Sequence, residues 1–166
     1  MSDKPIVFLK EAKKECGGCT ACCSGALSGE AYGHEFYRGR PCFFVTQQGC
    51  GIYESRPDTP CKSFKCAYLT EGFFPEWMRP DISGALATPR VHRFTEKVKD
   101  GDKETDVERA IPYLLITSYN PDKPMNAKTL FWFVQKMFEG LIPNLMIDID
   151  GRPHKLGKPD FMASRA

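Results

Sequence analysis

The chain has 166 residues, a formal net charge of +2, 42% apolar and 27% charged side chains, and eight cysteines. A chain of this length folds as one compact unit and buries about 70% of the surface its unfolded form exposes, so it needs no staples for want of core. The composition excludes disorder, a strongly basic nucleic-acid footprint and a membrane span, since no apolar run nears the ~18 residues a span requires.

Residues 5–15 read as a short strand or helix leading into the first cysteines. The apolar stretch there is too short for a secretory signal, so a cytoplasmic location is expected, with thiols kept reduced. Residues 16–72 are rich in Cys, Gly and aromatics and show no sustained period. That pattern suits loops and helical turns wrapped around metal rather than a conventional core. Residues 24–39 read as a surface loop, and Arg56-Pro57-Asp58-Thr59-Pro60 as a turn, because proline fixes φ and keeps the preceding residue out of the helical region. Residues 72–80, aromatic and bounded by prolines, are placed to join the two halves.

Periodicity takes over after residue 85. Residues 91–98 alternate as a strand, and the Asp100-Gly101 step marks a hairpin tip. Residues 105–110 and 113–119 return as its partner. Asn126 is placed to cap a helix over 127–139, with Gly140 stopping it. Leu130, Phe133, Val134, Met137 and Phe138 fall on one face of that helix. Residues 145–149 and 154–156 read as strands around the Asp150-Gly151 turn. The expected fold class is α+β: an irregular, metal-nucleated region over 1–72, packed on a small antiparallel sheet with one main helix over 73–166, the two forming one unit.

All eight cysteines lie between Cys16 and Cys66. The first group is Cys16-x2-Cys19-x2-Cys22-Cys23. A two-residue gap lets one tight turn bring two sulfurs onto one metal. Three cysteines at a spacing of three can occupy three corners of a cubane cluster, with the fourth ligand remote in sequence. Adjacent Cys22 and Cys23 cannot easily serve one ion, so one of them points to a second site. The second group is Cys42, Cys50, Cys61 and Cys66. Together the groups supply sulfur for two four-thiolate sites or one polynuclear site. A natural grouping sets Cys16, Cys19 and Cys22 with Cys61 or Cys66, leaving Cys23, Cys42, Cys50 and the other. Clustered cysteines without a secretory signal point to metal more than to disulfides or buried free thiols.

The segments Cys16-Gly17-Gly18-Cys19-Thr20-Ala21-Cys22-Cys23, Gly49-Cys50-Gly51-Ile52-Tyr53-Glu54-Ser55-Arg56-Pro57 and Cys61-Lys62-Ser63-Phe64-Lys65-Cys66 resemble the CxxCxxCC cysteine-cluster family, the YkgJ-type zinc- or iron-chelating proteins. The resemblance covers roughly residues 12–70 and departs from the pattern in the Asp-Thr-Pro spacer before Cys61. It implies that all eight cysteines are metal ligands. Flagellin lysine methylases carry a similar cluster, but this chain shows no glycine-rich cofactor loop, so methyl transfer is not implied.

The cofactor expected from these residues is one or two [4Fe–4S] clusters, or zinc. The first functional reading is an iron–sulfur protein in electron transfer or a redox accessory role, which leaves room for an unidentified protein partner. The alternative is a zinc-stabilised, non-enzymatic adaptor. An enzyme with an open iron position is a third reading, but no general base, nucleophile or nucleotide loop stands out. Tyr53 and Arg56 are candidates for tuning a bound group by hydrogen bonding. Lys13, Lys14, Arg56, Lys62 and Lys65 are cations available to balance thiolate charge. His34 reads as a loop residue rather than a ninth ligand, His92 and His154 as surface or structural. Asp148 and Asp150 form a pair explained by the turn between them. Phe131, Trp132 and Phe133 cannot all face one way, which fits either an exposed aromatic patch for a partner or, the favoured reading, a helix sandwiched between two layers.

Overall fold

A computed structural model describes residues 14–120, 122–149 and 151–166. The N-terminal expectation for residues 5–15 therefore lies almost wholly outside the described residues. From Lys14 to Thr70 the chain is built of turns and very short elements. Two antiparallel pairs punctuate it: β1 (Gly29–Ala31) with β2 (His34–Phe36), and β3 (Val45–Thr46) with β4 (Gly49–Cys50). Irregular helical turns cover Cys22–Ala26 and Asp58–Lys62, and helix α1 spans Ala67–Thr70. The expected loop over 24–39 thus contains the β1–β2 hairpin.

A 3-10 turn (Glu76–Met78) and helix α2 (Pro80–Ser83) lead into the main sheet. Strands β5 (Ala85–Asp100) and β6 (Lys103–Ser118) pair along their whole length, from Ala85 against Ser118 to Asp100 against Lys103. The closing loop is Gly101-Asp102, with Gly101 at φ 61°. A type II′ turn needs positive φ at that first central position, which glycine supplies without strain. The chain then forms α3 (Ala127–Phe138), β7 (Leu145–Ile149), β8 (Arg152–Leu156) and α4 (Pro159–Ala163). The sheet order is β5-β6-β7-β8.

The α+β class holds, but the main sheet is mixed rather than wholly antiparallel. β7 runs parallel to β6, from Leu114 against Leu145 to Ser118 against Ile149. The cause is α3: a helix inserted between neighbouring strands returns the chain to the end where it started, so the second strand runs the same way. β7 covers only residues 114–118 of β6. The rest of the β5–β6 ribbon extends beyond the sheet by about 35 Å at a strand rise of ~3.3 Å per residue.

Asn126 caps α3 as its type predicts, its side chain accepting from the Thr129 amide at 2.9 Å. Phe133 is fully buried and Trp132 nearly so, whereas Phe131 is 70% and Phe138 81% exposed. Phe138 is therefore not on the buried face that helical spacing assigns it, because α3 ends there and the chain turns away through Gly140.

One core unites both halves. Ala21, Cys66, Ala67 and Tyr68 pack in the same cluster as Leu86, Leu114, Ile116, Phe133 and Leu145. Residues 72–80 join them as expected: Phe74 meets Trp132 at 5.0 Å and Phe133 at 6.0 Å, and Trp77 meets Trp132 edge-on at 6.1 Å.

Buried Asn144 ties the far end together. It donates to Pro112 O and accepts from the Lys158 amide, both at 2.9 Å. Gly157 leaves the room it needs, since a Cβ there would lie 2.2 Å from Asn144 Oδ1. Asn144→Leu removes both half-buried hydrogen bonds, each worth about 0.5–1.5 kcal/mol net. Urea denaturation is expected to show a loss of about 1–3 kcal/mol; a change under ~0.5 kcal/mol would contradict the bridging role.

Candidate metal centre

The eight cysteines line one cavity of about 150 Å3. All are free thiols, so none is lost to a disulfide. Local backbone geometry brings them there. Gly17 (φ 53°) lets the chain double back, and the Cys19 amide donates to Cys16 O at 2.9 Å. Cys22 and Cys23 are consecutive on one irregular helical turn, so their side chains leave it in different directions. Cys22 accordingly packs with the main core, and Cys23 with a second, small cluster around Ala31, Phe36 and Cys42.

The Cys42 amide donates to Cys23 O at 2.7 Å, and the Val45 amide to Cys42 O at 3.1 Å. Val45 pairs with Cys50, which carries a third sulfur to within one hairpin of that neighbourhood. Cys61 rides on the Asp58–Lys62 turn, which presses on β1: a Cβ at Gly29 would lie 2.5 Å from Pro60 Cγ. Only glycine allows that approach. Cys66 stands at the start of α1 and is buried.

Electrostatics follow the same division. Burial pushes the Cys22 thiol far up, helped by Cys66, Cys19, Cys23 and Cys16 in that order. Burial pushes Cys23 up to about 12, helped first by Cys50, then Cys42 and Cys61. Cys66 is raised to about 11 by burial, with Cys16 and Cys19 adding to it and the Leu69 and Tyr68 amides acting the other way. Cys19 is also raised by burial, against the pull of the Ala21 and Asp81 amides. Crowded buried thiols resist ionising together, and a bound cation relieves that penalty. The donor set therefore fits a thiophilic metal or an iron–sulfur cluster. Among the described residues no three His, Cys, Asp or Glu side chains converge as a ready-made ion site. The sulfurs ring a space rather than meet at a point.

Arg56 and Tyr53 both line the cavity and hold each other. The guanidinium lies 3.7 Å from the Tyr53 ring centroid, and Arg56 Nε donates to Tyr53 O at 2.8 Å. Burial pushes the Cys61 thiol up, with the neighbouring thiols Cys42 and Cys50 adding to it, and the Arg56 charge draws it back down. Lys14 and Lys65 reach the cavity as well. Lys62 does not line it and pairs with Asp58 at 3.4 Å, while Lys13 lies outside the described residues.

His34 is exposed and stacks on Phe43 at 4.2 Å, away from the cavity lining. His92 and His154 lie on β5 and β8. Asp148 is on β7, and Asp150 lies outside the described residues, so their pairing is not described. Sequence reasoning missed Arg79 and Asp81. They form a two-point ion pair of 2.7 and 3.0 Å at the start of α2, beside Cys19. Nothing in Arg79-Pro80-Asp81 as a sequence signals proximity to cysteines sixty residues earlier.

No family model, curated protein or solved structure matches this chain.

Proposed function

We propose that the chain is a metal-binding protein whose eight cysteines hold iron–sulfur, giving it an electron-transfer or redox accessory role. The observation that carries this reading is the gathering of all eight free thiols on one cavity. The resemblance to the CxxCxxCC cysteine-cluster family supports metal binding, and the CxxCxxC spacing with a remote fourth ligand favours iron–sulfur over a lone ion. Cys16, Cys19, Cys22, Cys23, Cys42, Cys50, Cys61 and Cys66 would hold the group, and a cluster would supply one-electron redox chemistry. Tyr53 and Arg56 would orient the rim and tune the charge felt at Cys61. Unpaired thiols at this density suit a reducing compartment such as the cytoplasm. Among the described residues no helix is long and apolar enough to cross a membrane.

A zinc-stabilised adaptor is the second reading, favoured by the lack of any acid–base or nucleotide-binding signature in the sequence. Anaerobic purification with elemental analysis separates the two. Brown protein with about four iron and four sulfide per cluster is expected. Colourless protein with stoichiometric zinc would replace the redox reading with the adaptor. Protein with no metal would overturn both.

A further inference from the structure

We propose that the thiols form two separate four-sulfur centres, divided at the Cys22–Cys23 peptide bond, and that the outer one exchanges its metal first. This rests on the metal-binding reading above.

The inner centre takes Cys16, Cys19, Cys22 and Cys66. Cys19, Cys22 and Cys66 pack with the main core, and the Cys16–Cys19 turn ties the fourth sulfur to them. The outer centre takes Cys23, Cys42, Cys50 and Cys61. Cys23 and Cys42 belong to the small cluster and share a 2.7 Å backbone hydrogen bond. The β3–β4 pair brings in Cys50, and the turn pressed on β1 brings in Cys61. The two faces of one helical turn thus feed different hydrophobic clusters, and one ion cannot easily take both Cys22 and Cys23.

The centres differ in how firmly they are clamped. The inner set shares the core that joins both halves of the molecule. The outer set rests on three buried residues, Ala31 and Phe36 on strands of three residues and Cys42 on a loop. Segments with so little buried apolar contact open at low free energy, and ligand exchange follows opening.

The test uses the protein with its own metal, purified anaerobically, and a colorimetric chelator. Wild type is expected to release metal in two phases of equal amplitude. Cys42→Ser and Cys61→Ser should each retain about half of the wild-type metal and lose the fast phase. The Cys42→Ser/Cys61→Ser double should retain as much as either single, because both ligands serve one centre. Cys16→Ser should keep the fast phase and lose the slow one. A single release phase from wild type would overturn the proposal. So would complete metal loss from a Cys42 or Cys61 variant whose circular dichroism is still native, or a double that loses more than its singles. A wild-type chain without metal would instead refute the metal-binding reading itself, so the two failures are distinguishable.

Discussion

Cys66→Ser is expected to empty the inner centre and loosen the N-terminal half. Cys66 is 6% exposed, opens α1 and belongs to the core that joins the two halves. Structural four-ligand metal sites contribute about 10–16 kcal/mol of folding free energy. A whole domain is stable by only about 5–15 kcal/mol, so loss of one buried ligand removes most of the margin. Serine also leaves a polar hydroxyl where a metal-bound sulfur would sit. Metal content should fall by at least half, and amide hydrogen exchange should accelerate over residues 16–70. Full metal content with unchanged exchange in Cys66→Ser would remove Cys66 from the ligand set.

Phe133→Ala produces the largest loss outside the cysteine region. Phe133 is 0% exposed and meets Phe74 at 6.0 Å and Trp132 at 5.3 Å. Truncating a buried phenylalanine costs about 3–5 kcal/mol, the lost transfer free energy plus the cavity left behind. With a urea slope of about 1–3 kcal/mol/M, the midpoint should fall by roughly 2 M. Phe131→Ala is the matched control, since that ring is 70% exposed. It should change stability by no more than about 0.5 kcal/mol. Equal effects from the two variants would mean that α3 is rotated from the placement described.

The C-terminal half was largely legible because each element carries its own local signal. Alternation marks β5 and β6, glycine at the tip fixes their register, and Asn126 caps α3. The parallel pairing of β6 with β7 was not read, because alternation tells which face a residue occupies and not which strand lies beside it. Phe138 was misplaced because helical spacing has no knowledge of where the neighbouring layer stops. In the N-terminal half the clustering of the cysteines was plain in the sequence, but short turns without period hid the β1–β2 and β3–β4 pairs. The choice between Cys61 and Cys66 as partner of the first group was open in the sequence. The structure carries Cys66 into the core at the start of α1 and packs Pro60, the residue before Cys61, against Gly29, positions that no local spacing reveals. The Arg79–Asp81 pair beside Cys19 depends on folding over a long loop and leaves no local trace.

The free reach of β5 and β6 has a practical use. Thiol coupling, the usual way to attach a dye or tether a protein to a surface, is closed to a molecule with eight cysteines facing one cavity. The ribbon offers another place. A Cβ added at Gly101 meets nothing within 4 Å, and both flanking strands are exposed there. Exposed loop tips of this kind accept inserted sequence readily. A peptide epitope grafted between Gly101 and Asp102 therefore gives a grip on the protein that leaves every sulfur untouched.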